Sequence, residues 1–426
     1  MKRLAQTFAV GFSTGPVAVR KIGREAEYPL VDATGAAFDL SNLWDDLYRP
    51  GLKIVRAADG MQVGLEGVAF TYASEVGRGT VELITGPRHD LVQLAGDHDA
   101  GLEHLVDVAA RHGATVLGHG CQPLTPPSLG LMTPKPRYAV LHKAIGDAWL
   151  SFTATASDQT HVDISRDEVA WTTNLGNLLA PVFIALCGNS GVAAGTDADA
   201  CSWREVAMGA IEPSNGRHGM PIEPIESIED HVGRLCRLSH LMHKHTGVPV
   251  QGEGRFEAFL EDYAVDDWDD VYAAFLVHEH YVWHSARPRS GHGTLEVRSP
   301  CQQPAGDPMV ASALALGVIA GAAEIGRHIE ATLGNDAWSI MRRWHGQVLT
   351  HGLAAPEPAS GLIEGVLERA KGALRGRGRD EARFLEPLFF RLQKKENPAQ
   401  VARRVFAKGG MEALLNRAAI PASTDG

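Results

Sequence analysis

Alternation of apolar and polar residues predicts several β-strands in the first half of the chain. The runs 18–31, 52–56, 80–85 and 114–117 have this pattern or a short continuous apolar core. Residues 149–164 are rich in Thr, Phe and Val and predict one further, long strand. The first half of the chain is therefore expected to supply most of a β-sheet.

Apolar positions three and four residues apart predict helices between and after these strands. Residues 90–112 have this spacing and precede Gly113, a favourable residue just beyond a helix end. Ser165 and Glu168 form a capping-box signature directly before an apolar run that ends near Leu186. The long strand is therefore expected to be followed by a helix that begins at Ser165.

The second half of the chain is predicted to be mainly helical. After Ser227 the helical pattern is interrupted by one strand, 294–299, and the tail is helical from Met309 onward. The Gly- and Pro-rich segments 122–136 and 212–224 are expected to be surface loops. Strands followed by helices indicate a mixed α and β fold.

Length and composition allow one large globular core. The chain has 426 residues, of which 44% are hydrophobic, and no repeat or long linker divides it. We predict a single catalytic domain over 1–426, with a core at about 18–300 and a helical C-terminal part at about 308–418.

Charge and apolar runs restrict the partners and the compartment. The formal net charge of -11 comes from 51 acidic and 40 basic residues, which disfavours binding to nucleic acid or to an anionic membrane. No apolar core of a secretory signal follows Met1, and the longest apolar stretch, 309–323, is too short to span a bilayer. We therefore predict a cytoplasmic protein with small-molecule partners, and its oligomeric state is left open.

The cysteines do not indicate a zinc or redox site. No C-x-x-C pair is present, and the five residues are far apart. Reduced, mostly buried thiols are expected at Cys121, Cys187, Cys201, Cys236 and Cys301.

Acidic residues recur at strand positions that share one face of a sheet. Glu25 and Glu27 lie two residues apart in the first strand, so both side chains project to the same side. Glu82 lies among apolar neighbours in the strand 80–85, and Glu75 precedes it across a short glycine-containing turn. An isolated, solvated pair would be a surface feature only, but a carboxylate inside an apolar strand needs a partner.

Two further strands present polar side chains with the same alternation. Gln159 and His161 share one face of the long predicted strand, and Glu296 and Arg298 share one face of the strand 294–299. Arg298 could stabilise charge on a transferred phosphoryl group or could simply pair with Glu296, and this strand alone does not decide between the two. Four strands thus each offer a chemically capable face.

Carboxylates with one imidazole suit Mg²⁺ or Mn²⁺. Such ions neutralise and orient the phosphates of a nucleotide during phosphoryl transfer. The chain has no G-x-x-x-x-G-K-[ST] segment, so a P-loop is excluded and phosphate must bind in another way.

Several short segments follow one another in a recognisable order. From the N-terminus they are GREAEYP, VELITGP, GHGCQPL, MTPKPRYAVL, TASDQTHVDIS, CGNSGVAAGTDADACSWR, GTLEVRSP and LIEGVLERAKGALRGRGRDEARFLEPL. Together they resemble the glutamate-cysteine ligase family of the plant and actinobacterial kind. Each segment is weakly specific alone, but their order and spacing are fairly specific, and the resemblance covers most of 23–404.

By position, the resemblance implies two metal groups and a set of substrate contacts. One ion would be held by Glu25, His161 and Glu296, and the other by Glu27, Glu75 and Glu82. The implied contacts to phosphate or to the carboxylate substrate are Gln159, Arg204, Arg298 and Arg137, of which Arg137 could instead be structural. Arg298, Glu82 and Glu27 are the residues expected to carry catalysis.

The resemblance also implies a fold and an activity. The fold would be α+β and related to glutamine synthetase and the guanidino kinases, with a curved antiparallel sheet that forms a funnel and helices packed outside it. The activity would be that of an ATP-dependent carboxylate-amine ligase with Mg²⁺ or Mn²⁺ as cofactor and ATP as co-substrate. It would join the γ-carboxylate of glutamate to cysteine or another amine through an acyl phosphate.

Other functions of the same fold stay open. The segments SDQTHVDIS and SPCQQP differ from those of the cysteine-using enzymes, so a ligase with another carboxylate and amine in secondary metabolism is one alternative. A guanidino or amine kinase is a second, and an amide product formed together with ADP would exclude it. A noncatalytic nucleotide-binding protein is a third, although its metal carboxylates would be expected to be broken by substitution.

Overall fold

A computed structural model describes residues 1–211, 216–262 and 268–422. A nine-stranded antiparallel sheet lies at the centre of the fold, and helices pack against it. The predicted α+β class is confirmed. Small two-stranded sheets accompany the main one.

The strands are named in chain order. They are β1 (Ile22–Val31), β2 (Lys53–Arg56), β3 (Gln62–Glu66), β4 (Phe70–Ser74), β5 (Thr80–Arg88), β6 (Thr115–Val116), β7 (Asp158–Asp163), β8 (Val192–Ala193), β9 (Thr196–Asp197), β10 (His218–Gly219), β11 (Met242–His245), β12 (Val248–Gln251), β13 (Trp283–His284), β14 (Ala286–Arg289) and β15 (Thr294–Val297).

The helices follow the same convention. They are α1 (Lys2–Val10), α2 (Trp44–Leu47), α3 (Leu91–Arg111), α4 (Pro136–Ile145), α5 (Val169–Leu178), α6 (Ala180–Cys187), α7 (Trp203–Gly209), α8 (Ile228–Cys236), α9 (Phe256–Asp262), α10 (Trp268–His280), α11 (Val310–Ala320), α12 (Ala322–Leu333), α13 (Ala337–His351), α14 (Leu362–Gly376), α15 (Glu386–Lys394) and α16 (Pro398–Ala418).

The main sheet places β1 and β7 near its middle. Its strand order is β14-β15-β7-β1-β5-β4-β3-β2, and β6 also pairs with β1. Consecutive residues of a strand point to opposite faces, so each central strand presents one set of side chains to each side. The two faces of the sheet therefore have different chemistry.

One face is held by a fully buried ion pair between neighbouring strands. Arg24 of β1 donates from Nε and Nη2 to the two carboxylate oxygens of Asp158 in β7, at 2.7 and 2.9 Å. Both side chains are fully buried. A bidentate guanidinium-carboxylate pair has defined geometry, so this contact fixes the register of the two strands.

Two helices cover this same face. Tyr28 Oη lies 2.7 Å from Nε2 of His98 in α3, and Thr160 Oγ1 lies 3.1 Å from Ser312 Oγ in α11. Most of the apolar stretch 309–323 forms helix α11. Every residue of this helix up to Ile319 is buried, so α11 is a core helix. The opposite face of the sheet is left to the polar side chains.

The predicted long strand 149–164 is wrong in its first half. Residues 147–153 form a 3-10 helix, and β7 begins only at Asp158. Trp149 and Phe152 pack together with ring centroids 4.6 Å apart and both contact Trp283. Burial of these rings in a tertiary cluster overrides the local strand preference.

The prediction of one strand after Ser227 is also wrong. The structure adds β11 and β12, which form a hairpin, and β13 and β14 before β15. Thr246 and Gly247 connect the hairpin with φ of 49° and 83°, the left-handed conformation that a tight two-residue turn requires. The Thr-Gly pair between short Val- and His-containing runs was the signal that the helical interpretation missed.

Most other local predictions are confirmed. Asp90 caps α3, and both hydrogen bonds of the capping box at Ser165 are present. The helix predicted to follow Ser165 is broken between α5 and α6, just before Pro181. Segment 122–136 is largely irregular. Of the predicted loop 212–224, residues 212–215 lie outside the described residues.

Cysteines and apolar helices add two further findings. All five cysteines are free and buried. Within the described ranges no single helix is long and apolar enough to cross a membrane. Two pairs of consecutive helices, each bent at a short break, reach the required length and apolar composition only when the two helices are taken together. The single-domain organisation stays a prediction.

Buried histidines make the fold sensitive to acid. Burial lowers the pKa of His231 to about 3 and the pKa of His278 to about 3, because desolvation disfavours the charged imidazolium. Unfolded histidine titrates near 6.5, so the unfolded state binds more protons between pH 6.5 and 3. The stability that these two neutral histidines contribute is therefore fully present above pH 6.5 and is lost as the pH falls below it.

We predict that His231→Leu flattens this dependence. Each buried histidine should cost roughly 1 kcal/mol per pH unit below 6.5, so the variant should lose less stability than the wild type between pH 7 and 5. Urea unfolding at several pH values measures this, with the exposed His351→Leu as the matched control. The same loss in wild type and His231→Leu would contradict the assignment.

Candidate functional site

The polar face of the main sheet forms one wall of a cavity of about 270 Å³. The ten side chains that the sequence singled out all line it: Glu25, Glu27, Glu75, Glu82, Arg137, Gln159, His161, Arg204, Glu296 and Arg298. The opposite wall comes from α4, α7, the end of α10 and the 3-10 segment 147–153. The cavity is therefore the candidate active site.

Strand register explains why these distant residues meet. Directly opposed residues of antiparallel strands share one face of the sheet. The opposed pairs across successive strands are Arg287 with Glu296, Glu296 with His161, Glu25 with Gln159, and Glu27 with Glu82. The polar side chains thus form a continuous row across β14, β15, β7, β1 and β5.

Glu27, Glu75 and Glu82 form the first carboxylate group. One oxygen of each lies within 4.8 Å of the others. Burial, followed by repulsion from Glu27, raises the pKa of Glu75 to about 7. Burial and then Glu75, Glu25 and Glu27 raise the pKa of Glu82 well above its ordinary range. The positive charge of Lys135 acts to lower both pKa values but does not offset burial and the neighbouring carboxylates, so the group is short of positive charge.

Glu27 is held rigidly within this group. Its carboxylate accepts hydrogen bonds from the backbone N–H of Ser157 at 2.7 Å, from Ser157 Oγ at 2.6 Å and from Gln159 Nε2 at 3.0 Å. Ser157 lies just before β7 and was not predicted as a site residue. Its only sequence signal was that it precedes Gln159 by two positions and so shares its face.

Glu25, His161 and Glu296 form the second group, again with ligand atoms within 4.8 Å of one another. His161 Nε2 lies 3.2 Å from Glu25 Oε1, and its Nδ1 lies 3.0 Å from Thr294 Oγ1. Burial acts to raise the pKa of Glu25, but the neighbouring His161 lowers it, and the net shift is downward. An imidazole fixed through one nitrogen presents the other nitrogen in a defined direction.

Three arginines converge on Glu296. Arg287 pairs with both carboxylate oxygens at 2.7 and 3.0 Å, Arg289 donates to Oε2 at 3.1 Å, and Arg298 contacts Oε1. Burial alone would raise the pKa of Glu296, but these guanidinium groups lower it well below its ordinary range. The Arg298–Glu296 ion pair that the sequence left open is present, and Arg298 also lines the cavity.

Arg287 and Arg289 were missed from the sequence although both line the cavity. Their alternation in Ala286–Arg289 is the same period-two signal that identified the glutamates. It was overlooked because this segment was assigned to a helical region. Gln159 adds a further link, since its Nε2 donates to Glu27 while its Oε1 accepts from Arg298.

Arg204 and Arg137 approach the cavity from the helical wall. Arg204 at the start of α7 pairs with Glu205, and Glu205 Oε2 lies 3.3 Å from His218 Nε2. Arg137 Nη2 donates to Tyr138 Oη at 3.0 Å, and its guanidinium lies over the Tyr138 ring. Both guanidinium groups therefore lie in the wall that faces the glutamates, and Glu205 offsets the charge of Arg204.

Divalent cations fit the donor chemistry of this cavity. Mg²⁺ and Mn²⁺ prefer carboxylate oxygen, which Glu27, Glu75 and Glu82 supply within 4.8 Å of one another. In the second group both oxygens of Glu296 already contact arginines, so its coordination requires exchange of one of those contacts. The first group thus fits a cation without rearrangement of arginines.

Comparison with known proteins identifies the family. The profile described as "Glutamate-cysteine ligase family 2" matches residues 22–417. The chain belongs to this family. The matched region contains all ten predicted site residues, and the family resemblance inferred from the short segments is confirmed.

Curated relatives of this family member match over shorter stretches. Glutamate–cysteine ligase of Halobacterium salinarum is 26% identical over 49% of the chain and 47% of its own length. A putative glutamate–cysteine ligase of Rubrobacter xylanophilus is 27% identical over 69% of the chain and 66% of its own length. The matches thus span about half to two thirds of these relatives.

A solved structure shares the fold of this family member. The crystal structure of glutamate–cysteine ligase from Francisella tularensis in complex with AMP superposes with a TM-score of 0.55. Sequence identity is 12%, and the match covers 96% of the chain and 88% of that chain. At this identity the likeness shows the fold.

The arginine cluster yields a stability prediction. Arg287→Met should lower the free energy of unfolding by about 3–5 kcal/mol, because Glu296 would keep a buried charge with fewer partners. Chemical denaturation measures this. The control is Arg404→Met, which breaks a partly exposed pair with Glu396 and should cost about 1 kcal/mol or less. Equal stability of the two variants would show that Glu296 does not depend on Arg287.

Proposed function

We propose that the protein is an ATP-dependent carboxylate-amine ligase that forms an amide bond through an acyl phosphate. The observation that carries this proposal is the convergence of two carboxylate groups and five arginines in one cavity of a glutamate-cysteine ligase family 2 fold. Such a cavity suits a highly charged phosphate donor placed next to a carboxylate substrate.

In this proposal the two carboxylate groups hold divalent cations. Glu27, Glu75 and Glu82 would hold one Mg²⁺ or Mn²⁺, and Glu25 and His161 with Glu296 would hold another. When bound, such ions neutralise phosphate charge and orient the triphosphate for in-line transfer. Ser157 and Gln159 keep the Glu27 carboxylate at a fixed position in the cavity wall.

The first step brings two anions together. The substrate carboxylate attacks the γ-phosphorus of ATP, and the bond between that phosphorus and the bridging oxygen of ADP breaks. Arg298 stands between Glu296 and Gln159 and faces the cavity, so its planar guanidinium can donate to the oxygens of the transferring group. The acyl phosphate that forms is a far better electrophile than a carboxylate.

The second step consumes the acyl phosphate. The nitrogen of an amine attacks the acyl carbon, the C–N bond forms, and inorganic phosphate leaves. Arg204 and Arg137 on the helical wall are suited to hold the carboxylate ends of the substrates. Glutamate is the proposed donor, with a γ-glutamyl amide as product and cysteine or another amine as acceptor.

The activity is tested with ATP, Mg²⁺ and glutamate against a panel of amines. We expect ADP and an amide of the corresponding mass to appear together. Glu82→Gln should abolish both without unfolding the protein, because a neutral amide cannot balance the charge of a divalent ion. The exposed Glu364→Gln is the matched control. A phosphorylated amine without amide would instead identify a kinase.

Arg298→Lys tests the role of the planar guanidinium. Lysine keeps the charge but loses the two-pronged donor geometry, so turnover should fall by about 10²-fold or more while the KM for ATP changes little. Steady-state ADP release measures both constants. If the variant melts at a lower temperature but keeps its turnover per folded molecule, Arg298 is structural, and phosphoryl stabilisation belongs to Arg204 or Arg137.

A further inference from the structure

Two imidazoles in the cavity, those of His280 and His292, have no role in the steps described so far. Within the described residues His161, His280 and His292 line the cavity. His161 is held by Glu25 and Thr294, and His292 packs edge-on against His161 with ring centroids 5.8 Å apart. Among the residues that the structure describes, neither ring nitrogen of His280 has a hydrogen-bond or ion-pair partner.

The backbone of His280 is fixed while its ring is free. His280 is the last residue of α10, and its carbonyl oxygen accepts a hydrogen bond from Arg287 Nη1 at 2.7 Å. The ring meets the ring of Tyr281 edge-on, with centroids 4.9 Å apart. The side chain is exposed to the space of the cavity, so a substrate atom can reach its nitrogens.

The surroundings keep this imidazole neutral. The ring is accessible from the cavity, and protein atoms surround that cavity on all sides of the ring. Because this enclosure removes most of the bulk water, it lowers the pKa of His280 well below its usual value. Arg289, Arg287 and Arg137 lower the pKa further, against an opposing effect of Glu296. A neutral imidazole has one nitrogen with a lone pair that can accept a proton, and because the arginines disfavour the imidazolium, that proton must be passed on and is not held.

The carboxylates of the cavity are less suited to that task. Glu27 accepts three hydrogen bonds, Glu296 is surrounded by three arginines, and Glu25 contacts His161. Glu75 and Glu82 belong to the proposed cation site. The ring of His292 also has no hydrogen-bond or ion-pair partner within the described residues, but it packs against the proposed cation ligand His161. His280 lies at the end of α10, in the wall that faces the sheet, and so stays available for the acceptor substrate.

This inference rests on the ligase function proposed above. We propose that His280 is the general base of the second step. The amine nitrogen attacks the acyl carbon, the C–N bond forms and the C–O bond to phosphorus breaks, so that inorganic phosphate leaves with the electron pair. The N–H proton of the amine passes to the unpartnered ring nitrogen of His280 and is then released to solvent in the cavity.

The test separates the two steps by the choice of nucleophile. His280→Ala and His280→Gln are assayed with ATP, Mg²⁺ and glutamate, once with the amine accepted by the wild type and once with hydroxylamine. Hydroxylamine is uncharged near neutral pH and strongly nucleophilic, so it traps an acyl phosphate with little help from a base. The exposed His351→Ala is the matched control.

We expect amide formation to fall by about 10²-fold or more in both variants, while hydroxamate formation stays close to that of the wild type. Added imidazole should partly restore amide formation in His280→Ala. Unchanged amide formation would overturn the role of His280. A parallel loss of amide and hydroxamate in folded protein would also overturn it, because His280 would then act in binding or in the first step. A wild type that releases no ADP would instead refute the ligase function itself.

Discussion

Repulsion among carboxylates that face one cavity is the constraint on which the rest of the site depends. Five glutamates face the cavity: Glu25, Glu27, Glu75, Glu82 and Glu296. The protein compensates one end of this row with arginines, since three of them converge on Glu296. At the other end burial, followed by the neighbouring carboxylates, raises the pKa values of Glu75 and Glu82 in spite of Lys135, so this end is short of positive charge. In the proposed function a divalent cation would supply this charge.

The same charges explain how the site is kept rigid. Gln159 links the two groups, because it donates to Glu27 and accepts from Arg298. Behind the sheet the buried Arg24–Asp158 pair fixes the register of β1 against β7, which is the register that aligns the glutamates. Helices α3 and α11 cover that rear face through buried hydrogen bonds. Site geometry and core packing thus depend on the same two strands.

The sequence predicted which side chains face one cavity better than it predicted the elements around that cavity. Period-two alternation identified Glu25 with Glu27 and Glu296 with Arg298, because the direction of side chains along a strand is a local property. Arg287 and Arg289 were missed since their strand is short and lies in a region with helical spacing. The wall formed by Trp149 could not be predicted, because tertiary ring packing overrides local propensity. That the ring of His280 has no partner among the described residues is a tertiary property, which the sequence does not reveal.

The central claim is that the two carboxylate groups hold divalent cations beside a nucleotide. It is tested most directly by anomalous diffraction from crystals grown with Mn²⁺ and a non-hydrolysable ATP analogue. The account predicts anomalous density within coordination distance of Glu27, Glu75 and Glu82, and a second density beside Glu25 and His161, both in contact with the triphosphate. A nucleotide bound in the cavity with no anomalous density at either group, or Mn²⁺ bound only elsewhere on the protein, would contradict it.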